Sequence, residues 1–236
     1  MARRIGLFSL LAVALIGVSC GTSITGSGRI VTRRLSLSPF TGIDAESAFE
    51  VHVRIGEVQS VVVRLDSTLA DGLDVRVAKR ELHLGLLPHI SIGNAKLRAD
   101  VVMTKLTAVR VGGASRVFLD QVVKCDRVGV NLSGASHFEG GLEAGEAVMD
   151  LTGASEVKLR GVGARVTVKA SGASQLHMRD LHMGTLAINL SGASQAEVSV
   201  QDTIAAELSG ASHLTYSGRP RFTKQDTSGA SIIQAE

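Results

Sequence analysis

Apolar and polar residues alternate along most of this chain from residue 28 onward. The segment FEVHVRI, residues 49–55, has an apolar residue at every odd position and a polar residue between each pair. A period of two residues is typical of β-strands with one buried face. The same alternation returns at residues 61–65, 73–77 and 81–86, and no segment after residue 27 sustains a helical period. The sequence therefore predicts an all-β protein with almost no helix.

A motif of three small residues, Gly-Ala-Ser, recurs seven times between residues 113 and 231, and its glycines are 18 to 21 residues apart. Near-constant spacing in this range is the mark of a solenoid. Apolar and polar residues alternate on both sides of each motif. We therefore predict that each repeat unit consists of a strand, a corner, a second strand and a bend of variable length. About nineteen residues at ~3.3 Å each form a coil of ~60 Å perimeter, and such coils stack at ~4.8 Å. We predict a single-stranded parallel β-helix.

The repeated motif predicts corners that lie directly above one another. Glycine permits a positive φ and lets stacked backbones approach closely. The serine of each motif is in phase with buried positions, so we expect its hydroxyl to point inward or along the corner and to bond to a neighbouring rung. A flat serine and threonine array that binds ice, sugar or a surface is the alternative. The predicted corner ladder comprises Gly113, Gly134, Gly153, Gly172, Gly192, Gly210, Gly229, Ser115, Ser136, Ser155, Ser174, Ser194, Ser212 and Ser231.

The N-terminus has the pattern of a secretory signal. Arg3 and Arg4 precede an apolar run over residues 5–18, and small residues follow up to Cys20. We predict a signal peptide over residues 1–19, a lipid on Cys20 and a tether over residues 20–27. This ending resembles bacterial lipoprotein signals, and Gly21 rather than Asp after the cysteine implies the outer membrane. Two alternatives are cleavage by an ordinary signal peptidase after Gly17-Val18-Ser19 and a retained membrane helix.

Charge and cysteine content exclude some classes of function. Without residues 1–19, Lys+Arg falls from 25 to 23 against 22 Asp+Glu, so the mature chain is nearly neutral, and there is no basic run with interleaved aromatic residues. A nucleic-acid partner is therefore not expected. Only Cys125 remains after Cys20, which excludes an intramolecular disulfide framework. We expect Cys125 to be a small core or loop residue, not a nucleophile.

No cluster of residues predicts a catalytic, cofactor or metal site. Among the candidate acids, Asp150 and Glu207 share a column but lie three rungs apart, ~14 Å. His137 and His213 share another column four rungs apart, ~19 Å. Neither spacing suits a catalytic pair or a zinc site. The other acids and histidines considered were Glu156, Glu197, His52, His83, His89, His177 and His182.

The sequence resembles a known family of bacterial envelope proteins, the putative auto-transporter adhesin head GIN domain. The resemblance covers residues 26–236 and lies in the opening GSGRIVTRRLSLSPFTGIDAESAFEVHVRIGE, the strands LDVRVAKRELHLGL and the recurring SGAS. It implies a right-handed parallel β-helix over residues 28–236, which we divide into less regular rungs over 28–100 and Gly-Ala-Ser rungs over 101–236. It implies an exported or lipid-anchored protein and supplies no catalytic residues.

These observations favour a non-enzymatic envelope lipoprotein that acts as a binding, adhesion or scaffold module. The alternative is a carbohydrate-active β-helix enzyme, a lyase or a hydrolase acting on polysaccharide. The expected partners are a membrane, through the lipid, and a protein or polysaccharide of the envelope. Because Ile232 and Ile233 follow the last corner, we also predict a short cap or weak self-association at that end of the β-helix.

Overall fold

The computed structural model of the protein describes residues 22–236, so the predicted signal peptide and Cys20 lie outside the described residues. Strands make up 67% of the structure and helix 3%, which confirms the all-β prediction. The strands form a β-solenoid of about seven turns with rungs of ~19 residues.

In the repeat region, one long strand runs from each corner to the next as far as the corner at Gly210, and two shorter strands connect that corner to the last one. Successive strands pair in parallel, and each rung is offset from its neighbour by one repeat. We call wall 1 the strand residues that precede each corner and wall 2 those that follow it. The strands are β10 (Ala108–Val111), β11 (Arg116–Leu132), β12 (His137–Leu151), β13 (Glu156–Ala170), β14 (Gln175–Leu190), β15 (Gln195–Leu208), β16 (His213–Ser217), β17 (Arg221–Thr227) and β18 (Ile232–Ala235).

The preceding residues build one further rung and a cap. Strands β3 (Gly42–Ala45) and β4 (Glu50–Ile55) form this rung, because they pair in parallel with β10 and β11 and so continue walls 1 and 2. On their far side, β7 (Glu81–Leu86) pairs with β3 and β9 (Leu97–Met103) pairs with β4. The other elements of the cap are β1 (Thr22–Ile24), β2 (Ile30–Leu35), β5 (Ser60–Asp66), a 3-10 helix (Ser67–Gly72), β6 (Leu73–Ala78) and β8 (Ile90–Ile92).

Residues 28–100 differ from the less regular rungs that the sequence led us to expect. Strand β6 pairs with β7, β5 with β9 and β2 with β5, and all three pairs are antiparallel. Lys79 and Arg80 turn the β6–β7 hairpin, both with positive φ. A turn this tight returns the chain beside itself at once, whereas a parallel rung needs a full circuit. The solenoid therefore ends in two short antiparallel extensions, one on each wall.

The chain just before β2 is also more ordered than a free tether. Strand β1 pairs in parallel with β8, residue 22 opposite residue 90. The described part of residues 20–27 therefore lies against the folded body.

The interior of the coil is aliphatic, as the scarcity of aromatic residues predicts. Inward positions of strands β3–β5, β7 and β9–β16 contribute buried Val, Leu, Ile, Met or Ala side chains, and those of β6 and β8 are partly buried. The largest buried side chains include Phe40, Phe49 and Phe138. Outward positions of the same strands are polar and exposed, and these outward columns form the surfaces considered next.

Candidate binding surface

The seven Gly-Ala-Ser corners stack in one column. Each corner glycine has a positive φ, between 56° and 80°. From Ala154 onward, the alanine N–H of each corner donates to the glycine carbonyl one rung before it, for example Ala173 to Gly153 at 2.8 Å. Parallel hydrogen bonding therefore continues around the corner without interruption.

The corner serines point inward, but their hydroxyls bond differently from our expectation. Ser174 is fully buried, and its Oγ donates to the carbonyl of Ser171 in its own corner at 2.9 Å. Ser155, Ser194 and Ser212 repeat this bond. Ser136 also reaches the neighbouring rung, at the carbonyl of Val111, 2.9 Å away. In these corners the hydroxyl therefore closes its own turn, by donating to the carbonyl three residues earlier.

An eighth corner, Glu46–Phe49, was missed in the sequence because it lacks glycine. The N–H of Ala48 donates to the Gly113 carbonyl at 3.0 Å, and the Phe49 N–H donates to Ser115 Oγ at 3.1 Å. Ser47 and Ala48 both adopt positive φ. The sequence feature that could have indicated this corner is the three-residue spacing of Ala48 and Val51, which is the same as that of Ala114 and Val117 at the first Gly-Ala-Ser corner.

The outer face of wall 2 holds histidines that lie between carboxylates. His52 places Nδ1 2.8 Å from Asp120 and Nε2 3.1 Å from Glu50. The His52 ring also stacks on Phe118, with centroids 5.1 Å apart. Each ring nitrogen of His52 therefore lies within hydrogen-bonding distance of a carboxylate oxygen.

A second such arrangement lies in the next rungs. His137 Nε2 is 3.1 Å from Glu139, and its Nδ1 is 3.2 Å from Glu156. The hydrogen bond from His137 lowers the pKa of the Glu139 carboxyl, although burial acts in the opposite direction. Lys158 Nζ, 3.5 Å from Glu139, adds to the lowering. Glu139 is therefore held as a carboxylate.

His177 brings together two acids that the sequence placed in different columns. Its ring nitrogens lie 3.9 Å from Glu156 and 3.6 Å from Glu197. Glu197 also accepts from Arg179 Nε at 3.1 Å. The sequence analysis named His177, Glu156 and Glu197 but did not pair them. The structure shows that they meet across adjacent rungs.

A groove of about 200 Å³ opens on wall 2 where it meets the bend. Pairing registers shift beside it, between Lys158 and Gly161 and between Met178 and His182. Bulges of this kind re-aim side chains and are frequent at binding sites. The groove is lined by Glu139, Gly140, Lys158, Leu159, Arg160, His177, Arg179, Asp180 and Glu197.

The groove is lined by charges of both signs around the buried side chain of Leu159. Arg160 and Asp180 are exposed, and neither has an ion-pair partner among residues 22–236. A ligand here would meet the free guanidinium of Arg160 and the free carboxylate of Asp180, beside Glu139 and Glu197, which are paired with basic side chains. This arrangement suits a polar ligand with several hydrogen-bonding groups.

The remaining candidates from the sequence are dispersed. Asp150 and Glu207 lie on the outer face of wall 1, three rungs apart as predicted. His182 lies at the bend, with Nδ1 3.4 Å from Ser199 Oγ. Within residues 22–236 no three His, Cys, Asp or Glu side chains converge as metal ligands. Burial and the neighbouring Asp126 raise the pKa of the half-buried Cys125 thiol, which makes it a poor nucleophile.

Asp66 was not singled out in the sequence, yet it fixes the start of the fold. Its buried carboxylate accepts from the backbone N–H of Ser27, Gly28 and Thr68 at 3.0, 2.7 and 3.1 Å. Burial alone would raise its pKa, but these bonds and the Ser27 hydroxyl lower it well below the ordinary value of 3.8. The sequence feature that could have indicated this site is GSG at residues 26–28, because the backbone N–H groups of Ser27 and Gly28 both donate to the Asp66 carboxylate.

Comparison with known proteins gives a family and a fold. The family model described as putative auto-transporter adhesin, head GIN domain, matches residues 39–220. No curated protein matches the chain in sequence. No helix among residues 22–236 has the length and apolar character needed to span a bilayer.

Several solved structures share the fold at low sequence identity. A putative adhesin from Bacteroides fragilis is 16% identical, with a TM-score of 0.83 over 90% of this chain and 100% of that one. A putative adhesin from Parabacteroides distasonis is 16% identical, with a TM-score of 0.73 over 91% and 100%. A putative lipid binding protein from the same species is 15% identical, with a TM-score of 0.70 over 91% and 100%. These likenesses confirm the solenoid.

Proposed function

We propose that this chain, which belongs to the putative auto-transporter adhesin head GIN domain family, is a non-enzymatic binding module of the cell envelope, lipid-anchored at Cys20. The family indicates an exported or cell-surface protein. The adhesin names of the structural neighbours support a binding role. The solenoid acts as a stiff support, and wall 2 presents the ligand-binding surface.

The groove on wall 2 is the observation that carries this proposal. It lies on paired strands, so its side chains are held by the sheet and not by a mobile loop. Its bulged strands set it apart from the outer face of wall 1, where the registers of the same strand pairs run without a shift. We assign it a hydroxyl-rich or charged ligand, either a polysaccharide or a protein surface of the envelope.

Electrostatics argue against a glycosidase in the same groove. A glycosidase needs a carboxylic acid whose pKa is raised so that it can protonate the leaving oxygen. The pKa of Glu139 is instead lowered by His137 and Lys158. Glu197 is paired with Arg179. We therefore assign these carboxylates to ligand binding and to the ordering of the groove's cations.

Binding can be tested with two variants of one strand. Lys158→Ala/Arg160→Ala removes two cations from the wall 2 half of β13, and Arg165→Ala/Lys169→Ala removes two from its wall 1 half. All four side chains are exposed. We expect the purified chain to bind immobilised envelope polysaccharide or protein fractions, with at least a tenfold loss in the wall 2 variant only. Equal loss in both variants would refute a site on wall 2.

Two further measurements test the other parts of the proposal. Metabolic labelling with a fatty acid should label the parent protein but not Cys20→Ser. An unlabelled parent protein would refute the lipid anchor. Incubation with anionic polysaccharides should give no turnover. Cleavage that disappears in Glu139→Gln or Glu197→Gln would establish the carbohydrate-active alternative.

A further inference from the structure

The end of the solenoid nearest the N-terminus carries a group of unopposed arginines. Strand β2 is the outermost strand of the sheet that continues wall 2 through β9 and β5, and β5 is its only partner among the described strands. Arg29 directly precedes β2, and Arg33 and Arg34 lie within it. All three are exposed and, within residues 22–236, lack an ion-pair partner.

Nearby carboxylates do not neutralise these arginines. Residues 22–43 contain no Asp or Glu. Asp66, beside Arg29, is buried and occupied by N–H and hydroxyl donors. Asp100 pairs with Arg64 on β5 and with Arg98 on its own strand, β9. Within residues 22–103 the further exposed bases without an ion-pair partner, Arg54, Lys79, Arg80 and Lys96, outnumber the exposed acids, Glu46, Glu57 and Asp71.

The same end holds the chain close to its predicted lipid. Strand β1 is paired with β8, and Asp66 binds the amides of Ser27 and Gly28 immediately before Arg29. Cys20 precedes Thr22 by two residues, which span at most ~7 Å. A lipid on Cys20 would therefore hold this end at the membrane surface. Ile30, 45% exposed beside Arg29, adds an apolar side chain there.

We propose that Arg29, Arg33 and Arg34, here called the basic pole, dock the solenoid on an anionic phospholipid surface. A guanidinium matches the geometry of a phosphate and binds it through two parallel hydrogen bonds. A polybasic segment reinforces a lipid anchor, because each basic residue near an anionic surface adds to the attraction. The wall 2 groove then lies along the side of an upright solenoid. The inference rests on the proposed envelope location, which brings the protein to a membrane. The interaction of the three arginines with lipid phosphates does not depend on that location.

Edge protection is the competing role for these arginines. Charged residues on an edge strand prevent pairing with other chains. That role predicts aggregation when the arginines are removed and no preference for anionic lipid. Docking predicts lipid binding that depends on salt and on the charge of the vesicle.

The experiment uses the chain with Cys20→Ser, so that no lipid contributes. We compare its binding to phosphatidylcholine vesicles with binding to vesicles containing phosphatidylglycerol, at low and high salt. The test variant is Arg29→Gln/Arg33→Gln/Arg34→Gln, and a matched variant is Arg127→Gln/Arg165→Gln/Lys169→Gln on wall 1. Replacement of the three arginines by Lys keeps the charge, and thermal melting checks that each variant folds.

We expect salt-sensitive binding to the anionic vesicles alone, about tenfold or more weaker in the glutamine pole variant, retained by the wall 1 variant, and intermediate in the lysine variant, which keeps the charge but not the paired hydrogen bonds. Equal binding of the pole and wall 1 variants, or equal binding to neutral vesicles, would overturn the proposal. So would retention on an alginate resin without vesicle binding, which would assign the pole to polysaccharide. The vesicle experiment does not involve the groove, so its outcome does not depend on whether Lys158→Ala/Arg160→Ala loses its ligand. Either proposal can therefore be refuted without the other.

Discussion

The carbonyl oxygen of Gly153 lies 2.5 Å from the position that a β-carbon on Gly172 would occupy. Real β-carbons do not approach a backbone oxygen this closely, so the rung below sterically excludes every other residue at this position. Gly192, Gly210 and Gly229 have the same contact, whereas Gly134 does not, since its nearest neighbour would be 3.5 Å away. The repeat therefore needs glycine for two separate reasons, close stacking and a positive φ.

These contacts predict unequal costs for glycine substitutions. Gly134→Ala should cost about 1–2 kcal/mol, the price of a left-handed conformation. Gly172→Ala adds a backbone clash and should lower stability more, and Gly172→Val further still. Gly129→Ala, with open space at its β-carbon, is the control. Denaturant or thermal unfolding measures the series, and equal losses at Gly134 and Gly172 would contradict the stacking contact.

Asp66 predicts a pH-dependent stability. Its folded pKa is depressed, so its contribution is present above the ordinary value of 3.8 and is lost as the pH falls below that value. Asp66→Asn should therefore be less stable than the parent at pH 7, and the difference should shrink in acid. Urea midpoints between pH 7 and pH 3 measure this. Asp71→Asn, an exposed position in the adjoining 3-10 helix, should leave the profile unchanged.

Glu139 provides a local probe of the wall 2 histidines. Because the hydrogen bond from His137 is the main cause of its lowered pKa, His137→Gln should raise the Glu139 pKa towards its ordinary value of 4.5. Lys158→Gln should produce a smaller rise. A carboxyl NMR titration reads both variants. A Glu139 pKa that follows Lys158 and ignores His137 would show that the imidazole is not the donor.

Cys125 should react slowly with thiol reagents in the folded protein. Burial raises its pKa, so the thiolate fraction at neutral pH is small. We expect alkylation by iodoacetamide to be slower than in the urea-unfolded chain at the same pH, and to accelerate as the pH is raised. Reaction at or above the unfolded rate would indicate an activated thiol.

The last described rung predicts weak self-association. Strand β17 pairs only with β15, and β18 only with β16, among the described strands. Ile232 there is 50% exposed. Light scattering should show a mass that rises with concentration, and Ile232→Lys should suppress the rise. Val162→Lys, at a 51% exposed position within the solenoid, should not. A strict monomer at high concentration would refute the prediction.

The clearest differences between sequence and structure lie where the chain does not repeat. The Glu46–Phe49 corner stacks on residues 112–115 without sharing their glycine, because Ser47 and Ala48 accept positive φ there. On wall 2, the acids that contact His137 and His177 lie on the same strand or on an adjacent rung of the repeat, but His52 meets Asp120 across 68 residues of chain. Asp66 meets Gly28 across 38 residues. Such contacts leave no periodic trace in the sequence.

The sequence by itself determined the strands, the seven corners, the rung length and the aliphatic core. These follow from local rules, since a period of two fixes the buried face and a regularly spaced corner sets the rung length. The tertiary structure decided the antiparallel cap, the wall 2 groove and the arginines left free at the pole, and it showed that the serine hydroxyls bond mainly within their own corners. The cap, the groove and the pole depend on which distant segments meet, and that is set by backbone groups whose pairing no local pattern records.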